Sequence, residues 1–417
     1  MRIHFTVLDG VDQGATYEFG GYQAFVVGRT GDSGGENLLP TDPYFSRHHM
    51  LVEVCGDAVV VKDLGSRNGL YVNGTRTREA VLASGDTLKA GRTTLRVEIE
   101  KAPGPASASG TPAPTPPEPP PNEEFLTDEV TRFATTGARG PTAKTARRLE
   151  EFRRIGAPVR NEMGTVERAI DSISGTSVSL ERFDPGAPLE PRNLKRFLRQ
   201  MEVLGTLEHP HVIRLVALGS DDGHPWIATE FAAAGDLSAW VRATGVRTSE
   251  EVLALGRQTL DALAYAHERG VAHRDVKPTS IRLRSTGPVD VALADFGLSK
   301  SYRVAGGSGL TRRANADGEV AFLAPEQILD SRTVGPRADL YSLAACMFHA
   351  LAGTWHLDAP MSGPSVWGAI LEARPVPLRT LRPEVPARLA EAIDRALARV
   401  PDARWRDAAT MRAVLGA

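Results

Sequence analysis

Cysteine is nearly absent. The chain holds two, Cys55 and Cys346, among 417 residues, so a disulfide framework is excluded as the basis of the fold and a reducing compartment is expected. Charge of one sign is also missing. Lys and Arg number 49 against 51 Asp and Glu, a formal net charge of -2 with pI near 6.6. That removes the electrostatic case for nucleic acid or an anionic membrane surface as partner. No long apolar run occurs. The most apolar stretch, Leu340 to Gly353, is broken by His349 and falls short of the ~20 residues that span a bilayer. The first residues, MRIHFTVLDG, alternate apolar and polar and lack the apolar block of a secretory signal. The expectation is a cytoplasmic protein without membrane insertion.

What is present points to several domains. The chain is too long for one ordinary core, and its 41% hydrophobic and 24% charged content is that of a globular protein. Residues 1–100 carry short strand-like runs such as IHFTVLDG, AFVVG, HMLVEVCGDAVVVKDLG and TTLRVEIE, separated by Gly, Asp and Asn turns, the pattern of a β-sandwich. Residues 101–122 hold 9 of the 29 prolines and no apolar side chain larger than alanine. Such a segment builds no core and reads as a linker. In polyproline II it spans up to roughly 70 Å, at about 3.1 Å per residue. Residues 123–145 continue with Thr127, Thr131, Thr135, Thr136, Thr142 and Thr145 and little apolar mass; the whole of 101–145 is expected to be disordered. From 146 to 417 the chain is globular again. A β-rich lobe over about 146–231 includes one helical stretch, PRNLKRFLRQMEVLGTL. An α-rich lobe follows over about 232–417, with helices predicted near 249–269 and 338–352.

Three clusters stand out in the first domain: VVGRT (26–30), FSRHH (45–49) and LGSRNGLYVNG (64–74). Arginine, serine hydroxyl and asparagine at loop positions can grip a phosphate and a peptide backbone by charge-assisted hydrogen bonds. Any one cluster alone reads as solvated surface. In this order and spacing they resemble the forkhead-associated (FHA) domain across residues 1–100. The resemblance implies a phosphothreonine peptide site at Arg29, Ser46, Arg47 and Asn68. It gives Gly28, His49, Gly69, Asn73 and Gly74 the task of shaping the loops. Leu70 departs from the threonine common in the family, which should affect loop packing or selectivity. The His48-His49 pair lacks the further ligands of a metal site.

In the second domain AHRDVKPTSIRL (272–283), LADFGLSK (293–300) and FLAPEQIL (322–329) follow in order, with LEHPHVIRL (207–215) before them and RADLYSLA (337–344) after. The ordered set resembles the eukaryotic-like (Hanks-type) serine/threonine protein kinases across about 146–417. The fold implied for the chain is multidomain: an all-β FHA sandwich followed by a bilobal α+β kinase-like fold. The resemblance also pairs Arg404 with Glu326.

Phosphoryl transfer needs phosphates, metal and hydroxyl held in register. The resemblance places Asp275 as the catalytic aspartate, Lys277 on the transferred phosphate, and Asp295 on magnesium. It puts Gly164, Val166, Glu181, Glu230, Ser280 and Asp295 around the nucleotide, with Ser280 as a second, weaker metal ligand. Five motif elements depart from the family, the glycine-rich loop at two positions. The glycine-rich loop reads VRNEMGTV (159–166), with Val159 and Asn161 where glycines stand and only Gly164 kept. The β3 lysine is Glu181, its helix partner is Gln200, the second metal ligand is Ser280, and the threonine ahead of APE is Glu319. A shift that put Arg182 in the lysine position would turn Val178 and Leu180 outward. A unit charge pair at 4 Å is worth about 4 kcal/mol at an effective dielectric of 20, so exchanging lysine for carboxylate removes several decades of rate. The expected reading is a phosphothreonine-dependent signalling protein with a pseudokinase scaffold that binds ATP and Mg weakly or not at all. The alternative is an active serine/threonine kinase with a displaced cation, Arg160 or Arg182. Expected partners are phosphothreonine-containing proteins and an upstream Ser/Thr kinase acting on the linker threonines.

Overall fold

The structure, a computed structural model, describes residues 2–20, 24–29, 42–55, 58–100, 147–161, 163–184, 188–189, 191–297, 319–329, 334–359 and 366–416. The expected linker, 101–145, lies outside the described residues, as do Thr127, Thr131, Thr135 and Thr136 within it. The chain divides into two units, one within residues 1–132 and one within 133–417.

Among its described residues the first unit has ten strands: β1 Arg2–Asp9, β2 Thr16–Gly20, β3 Ala24–Val27, β4 Met50–Cys55, β5 Ala58–Asp63, β6 Leu70–Val72, β7 Thr75–Thr77, β8 Glu79–Leu82, β9 Thr87–Ala90 and β10 Thr93–Glu100. They form a six-stranded sheet, β2-β1-β10-β9-β6-β7, and a four-stranded sheet, β3-β4-β5-β8. Alternation decides what each strand buries. Ile3, Phe5 and Val7 face inward from β1, and Leu95 and Val97 from β10. They meet Phe25, Val27, Val52, Val59 and Val61 of the other sheet in one core, the packing of a sandwich. Leu70 is fully buried in that core, so its departure from threonine is a packing substitution. The sequence pattern missed the short strands β7, β8 and β9; β7 lies at a sheet edge and buries no side chain.

The second unit opens with a five-stranded antiparallel sheet, β11-β12-β13-β15-β14. Its strands are β11 Phe152–Arg160, β12 Gly164–Asp171, β13 Ser177–Phe183, β14 Leu215–Asp221 and β15 His224–Glu230, with helix α1, Pro191–Leu204, between β13 and β14. One face carries Val178, Leu180, Ala217, Trp226 and Ala228; the other packs Phe183, Leu218 and Ile227 against Phe197 and Met201 of α1. Strand β14 starts later than the pattern VIRLVALG suggests. Residues 211–213 are drawn to the second lobe, where Ile213 N donates to Leu293 O and Leu293 N to His211 O.

The second lobe is mostly helical: α2 Leu237–Thr244, α3 Ser249–His267, a hairpin of β16 Ile281–Thr286 and β17 Val289–Leu293, α4 Pro325–Leu329 and α5 Pro336–Ala352. Helix α3 begins with a capping box, Thr248 and Glu251 exchanging backbone and side-chain bonds. Nearly every residue of α5 is buried, which is why the most apolar stretch of the sequence is a core helix. Among the described residues no helix is long and apolar enough to cross a membrane.

Candidate functional site

The rim of the first unit is assembled by its loops. Gly28 passes so close to the next segment that a Cβ there would lie 1.7 Å from Arg47 O; only glycine admits the approach. Arg29 N donates to Ser46 O, and Arg29 Nη1 to Pro43 O at 3.3 Å, while its buried Nε has no partner. Ser46 Oγ accepts from Arg67 N at 3.1 Å, and Asn68 Nδ2 donates to Tyr44 O at 2.6 Å. Arg29, Ser46 and Asn68 are thus brought onto one loop cluster, with Arg47 exposed beside them. His49 is structural. It is buried, its Nδ1 accepts from Ser46 N at 3.0 Å, and its Nε2 lies 3.1 Å from Gly69 O. Burial pushes its pKa down, which fits a neutral ring in that role. Asn73, at φ 50°, bonds Asp86 and Thr87 and pins the second loop. Sequence reasoning missed Asp42. Its buried carboxylate accepts from Tyr44 N, Arg92 N and Thr93 Oγ1, tying the serine loop to β10.

In the second unit a cleft of about 210 Å³ opens between the lobes, with Val166, Glu181, Glu230, Arg282 and Asp295 among its lining. Strand β13 decides what enters it. Val178 and Leu180 pack away from the cleft, so Ser179 and Glu181 face it. Glu181 is buried, pairs in register with Val166 and Ile227, and accepts from Asn161 Nδ2 at 2.7 Å. Burial and the neighbouring Asp295 carboxylate push its pKa up to about 7. Arg182 turns to Asp221 at 3.5 Å and Arg160 to Asp184 at 3.4 Å. Neither is among the cleft-lining residues. The cation that does line the cleft, Arg282, was not singled out by sequence reasoning.

Asn161 holds its own loop together. Its Oδ1 accepts from Met163 N at 2.9 Å and Gly164 N at 2.7 Å, while its amide reaches Glu181. A side-chain carbonyl thus takes up two loop amides, the groups that cradle an anion in a glycine-rich loop. Gly164 itself is required by crowding, since a Cβ would lie 1.9 Å from Arg182 O. Gln200 is buried on α1 and its Oε1 has no hydrogen-bond partner. Glu230 is held by Arg284 at 2.5 Å.

The second-lobe loop is firmly built. Asp339 of α5 is fully buried and accepts from His273 N and Arg274 N at 2.8 and 2.6 Å, with His267 Nε2 at 2.8 Å. His273 Nε2 lies 2.6 Å from Ala294 O, linking this loop to Asp295, which sits at φ 65°. Asp275 is buried and its N–H donates to His273 Nδ1. Lys277 follows, and its charge is felt at Glu181. Ser280 is not among the residues lining the cleft. It is fully buried, its Oγ donating to Lys277 O and accepting from Lys277 N. Glu319 opens a short turn ahead of α4, and its side chain lies outside the described residues. Arg404 forms the expected pair with Glu326, at 2.6 and 2.7 Å.

A two-lobed fold with this ordered set of loops is that of the protein kinases. The chain belongs to the protein kinase family: the profile described as Protein kinase domain matches residues 153–404, more than half of the sequence. A second profile, FHA domain, matches residues 25–91, and FHA domains bind phosphothreonine-containing proteins. The chain is 35% identical over 245 residues to the serine/threonine-protein kinase PknK of Mycobacterium tuberculosis (strain ATCC 25618 / H37Rv), a match covering 58% of this chain and 21% of PknK. It is 36% identical over 160 residues to PknJ of the same strain, covering 38% and 26%. These matches thus span about a fifth to a quarter of the length of the relatives. The crystal structure of Rad53 1-466 in complex with AMP-PNP shares the fold, with TM-score 0.52 and 21% identity over 99% of this chain and 98% of that one.

Proposed function

We propose that this chain is a phosphothreonine-dependent signalling protein whose FHA unit docks phosphorylated partners and whose kinase-like unit is a non-catalytic scaffold. One observation carries the reading: the 2.7 Å hydrogen bond from Asn161 to Glu181. Through it the carboxylate in the β3 lysine position is fastened inside the cleft, and the Asn161 carbonyl already occupies two loop amides. Triphosphate entering there meets a carboxylate where it needs a cation, and amides that are no longer free. ATP and Mg are therefore bound weakly or not at all. Residues 101–145 act as a tether, and an upstream Ser/Thr kinase phosphorylates threonines such as Thr127 within it. The tether then presents them to an FHA unit at high effective concentration.

The test is direct. Purified full-length protein is assayed for phosphate transfer and for ATP-dependent thermal stabilisation, with and without magnesium. The expected result is no transfer and little or no shift. Transfer at the rate of ordinary kinases would instead establish the alternative, an active serine/threonine kinase. On the FHA side, Arg29→Ala and Ser46→Ala should each abolish binding to phosphothreonine peptides while the unit stays folded. Unchanged affinity in both would remove the assigned site.

A further inference from the structure

Arg282 stands where strand alternation aims it into the cleft. Its neighbours Ile281 and Leu283 are fully buried, and Arg282 between them is among the cleft-lining residues. The backbone fixes its position from two sides, in register with Ala292 across the β16–β17 hairpin and bridged to Asp236 ahead of α2. From there the guanidinium spans two carboxylates. Nη2 lies 3.8 Å from Asp295 and Nη1 3.6 Å from Asp236. Asp236 is itself anchored, its side chain capping α2 through Ala239 N at 2.8 Å. Glu181 lines the same cleft, and Arg282 is one of the two cations that offset its charge, with Lys277.

The kinase fold implies magnesium here, and the residues present do not fit it. Magnesium takes a near-octahedral shell of oxygens and is bound through carboxylates and phosphates. Of the two ligands the sequence offered, Ser280 is fully buried with its hydroxyl engaged by Lys277. The other, Asp295, already faces a guanidinium. A dication at Asp295 would stand beside the Arg282 guanidinium, 3.8 Å from that carboxylate, and like charges in a partly desolvated site repel strongly.

We propose that Arg282 is a tethered counter-cation that takes the place of the metal at Asp295, so that the cleft is organised by a guanidinium and takes up no divalent ion. This rests on the non-catalytic reading above and extends it. The ligand class that follows is one without a bound metal.

The experiment uses the full chain and manganese alone. Uptake is followed by the paramagnetic signal of free Mn²⁺ and by melting with tryptophan emission. The parent should show no uptake that depends on Asp295. Arg282→Gln removes the charge and keeps a polar side chain of moderate size. It should gain manganese affinity by about tenfold or more, the effect of an interaction of about 1.4 kcal/mol. Adding Asp295→Asn should abolish the gain, and Arg282→Lys should behave as the parent. Arg282→Leu is a second neutral variant should the glutamine variant not fold. Parent uptake that disappears in Asp295→Asn overturns the proposal, as does a folded neutral variant that gains nothing. No nucleotide is present, so such a failure leaves the Glu181 reading standing, and phosphate transfer by the parent remains a separate result.

Discussion

Glu181 shares the cleft with Asp295 and accepts a hydrogen bond from Asn161. Its pKa, raised from 4.5 to about 7 by burial and by Asp295, makes it a titrating group near neutrality. The folded chain binds this proton more tightly than the unfolded chain, so the stabilisation is complete below about 4.5. It is lost as pH rises through about 7. Melting curves between pH 5 and pH 8 should therefore show a stability loss in the parent that Glu181→Gln lacks; parallel curves would mean that the carboxyl is ionised throughout. Asn161→Ala should cost about 1–2 kcal/mol in denaturant unfolding, because Met163 N and Gly164 N lose their acceptor. At this scale the sequence was only half legible. That β13 turns a carboxylate to the cleft is written in the strand VSLERF, because alternation leaves one face for the cleft. That Asn161 fills the loop is not, because it depends on a turn that folds the side chain back on its own backbone.

Between elements, interactions that lie far apart in sequence set the positions. Arg404 has a fully buried side chain and donates to both oxygens of Glu326 on α4, and to the carbonyls of Arg337, Ala398 and Arg399. Removing one partner leaves a buried charge unpaired, so Arg404→Ala and Glu326→Ala should each destabilise the second unit by about 3–5 kcal/mol. The double variant should cost less than the sum, by a coupling of about 0.5–3 kcal/mol, measured by urea unfolding of all four proteins. Additive costs would mean that the pair is incidental. In the first unit Gly28→Ala must displace the Arg47 carbonyl, 1.7 Å from the new Cβ. Loss of phosphopeptide binding is expected, with peptide titration as the check. The long strands and helices were legible from periodicity; the short strands β7, β8 and β9 were not, and β14 gives up Val212 and Ile213, which pair with Leu293 of β17.

Over the whole molecule the five tryptophans, Trp226, Trp240, Trp355, Trp367 and Trp405, all lie in the kinase-like unit. Tryptophan emission therefore reports the melting of that unit alone. Its acid sensitivity should centre on His356, which is buried with Nε2 2.7 Å from the Tyr341 hydroxyl. Burial lowers its pKa from 6.5 to about 3. The unfolded chain takes up this proton below 6.5 and the folded chain does not, so stability is lost as pH falls from 6.5 toward 3. The slope is at most ~1.4 kcal/mol per pH unit from this group. Melting of His356→Gln followed by tryptophan emission should show a shallower acid limb than the parent; an unchanged limb would place the sensitivity elsewhere.

The sequence by itself determined the two folds, the order of the loops and the residue types that stand at positions 161, 181 and 280. These follow from hydrophobic period, turn residues and motif spacing, which are local properties of the chain. Tertiary structure decided which cation serves the cleft. Arg160 and Arg182 are near Glu181 in sequence or sheet, yet they turn to Asp184 and Asp221. Arg282 is a hundred residues away and enters the cleft because β16 packs beside Asp236 and Asp295. Charge acts through distance in space, and that distance exists only once the lobes of the kinase-like unit have closed around the cleft.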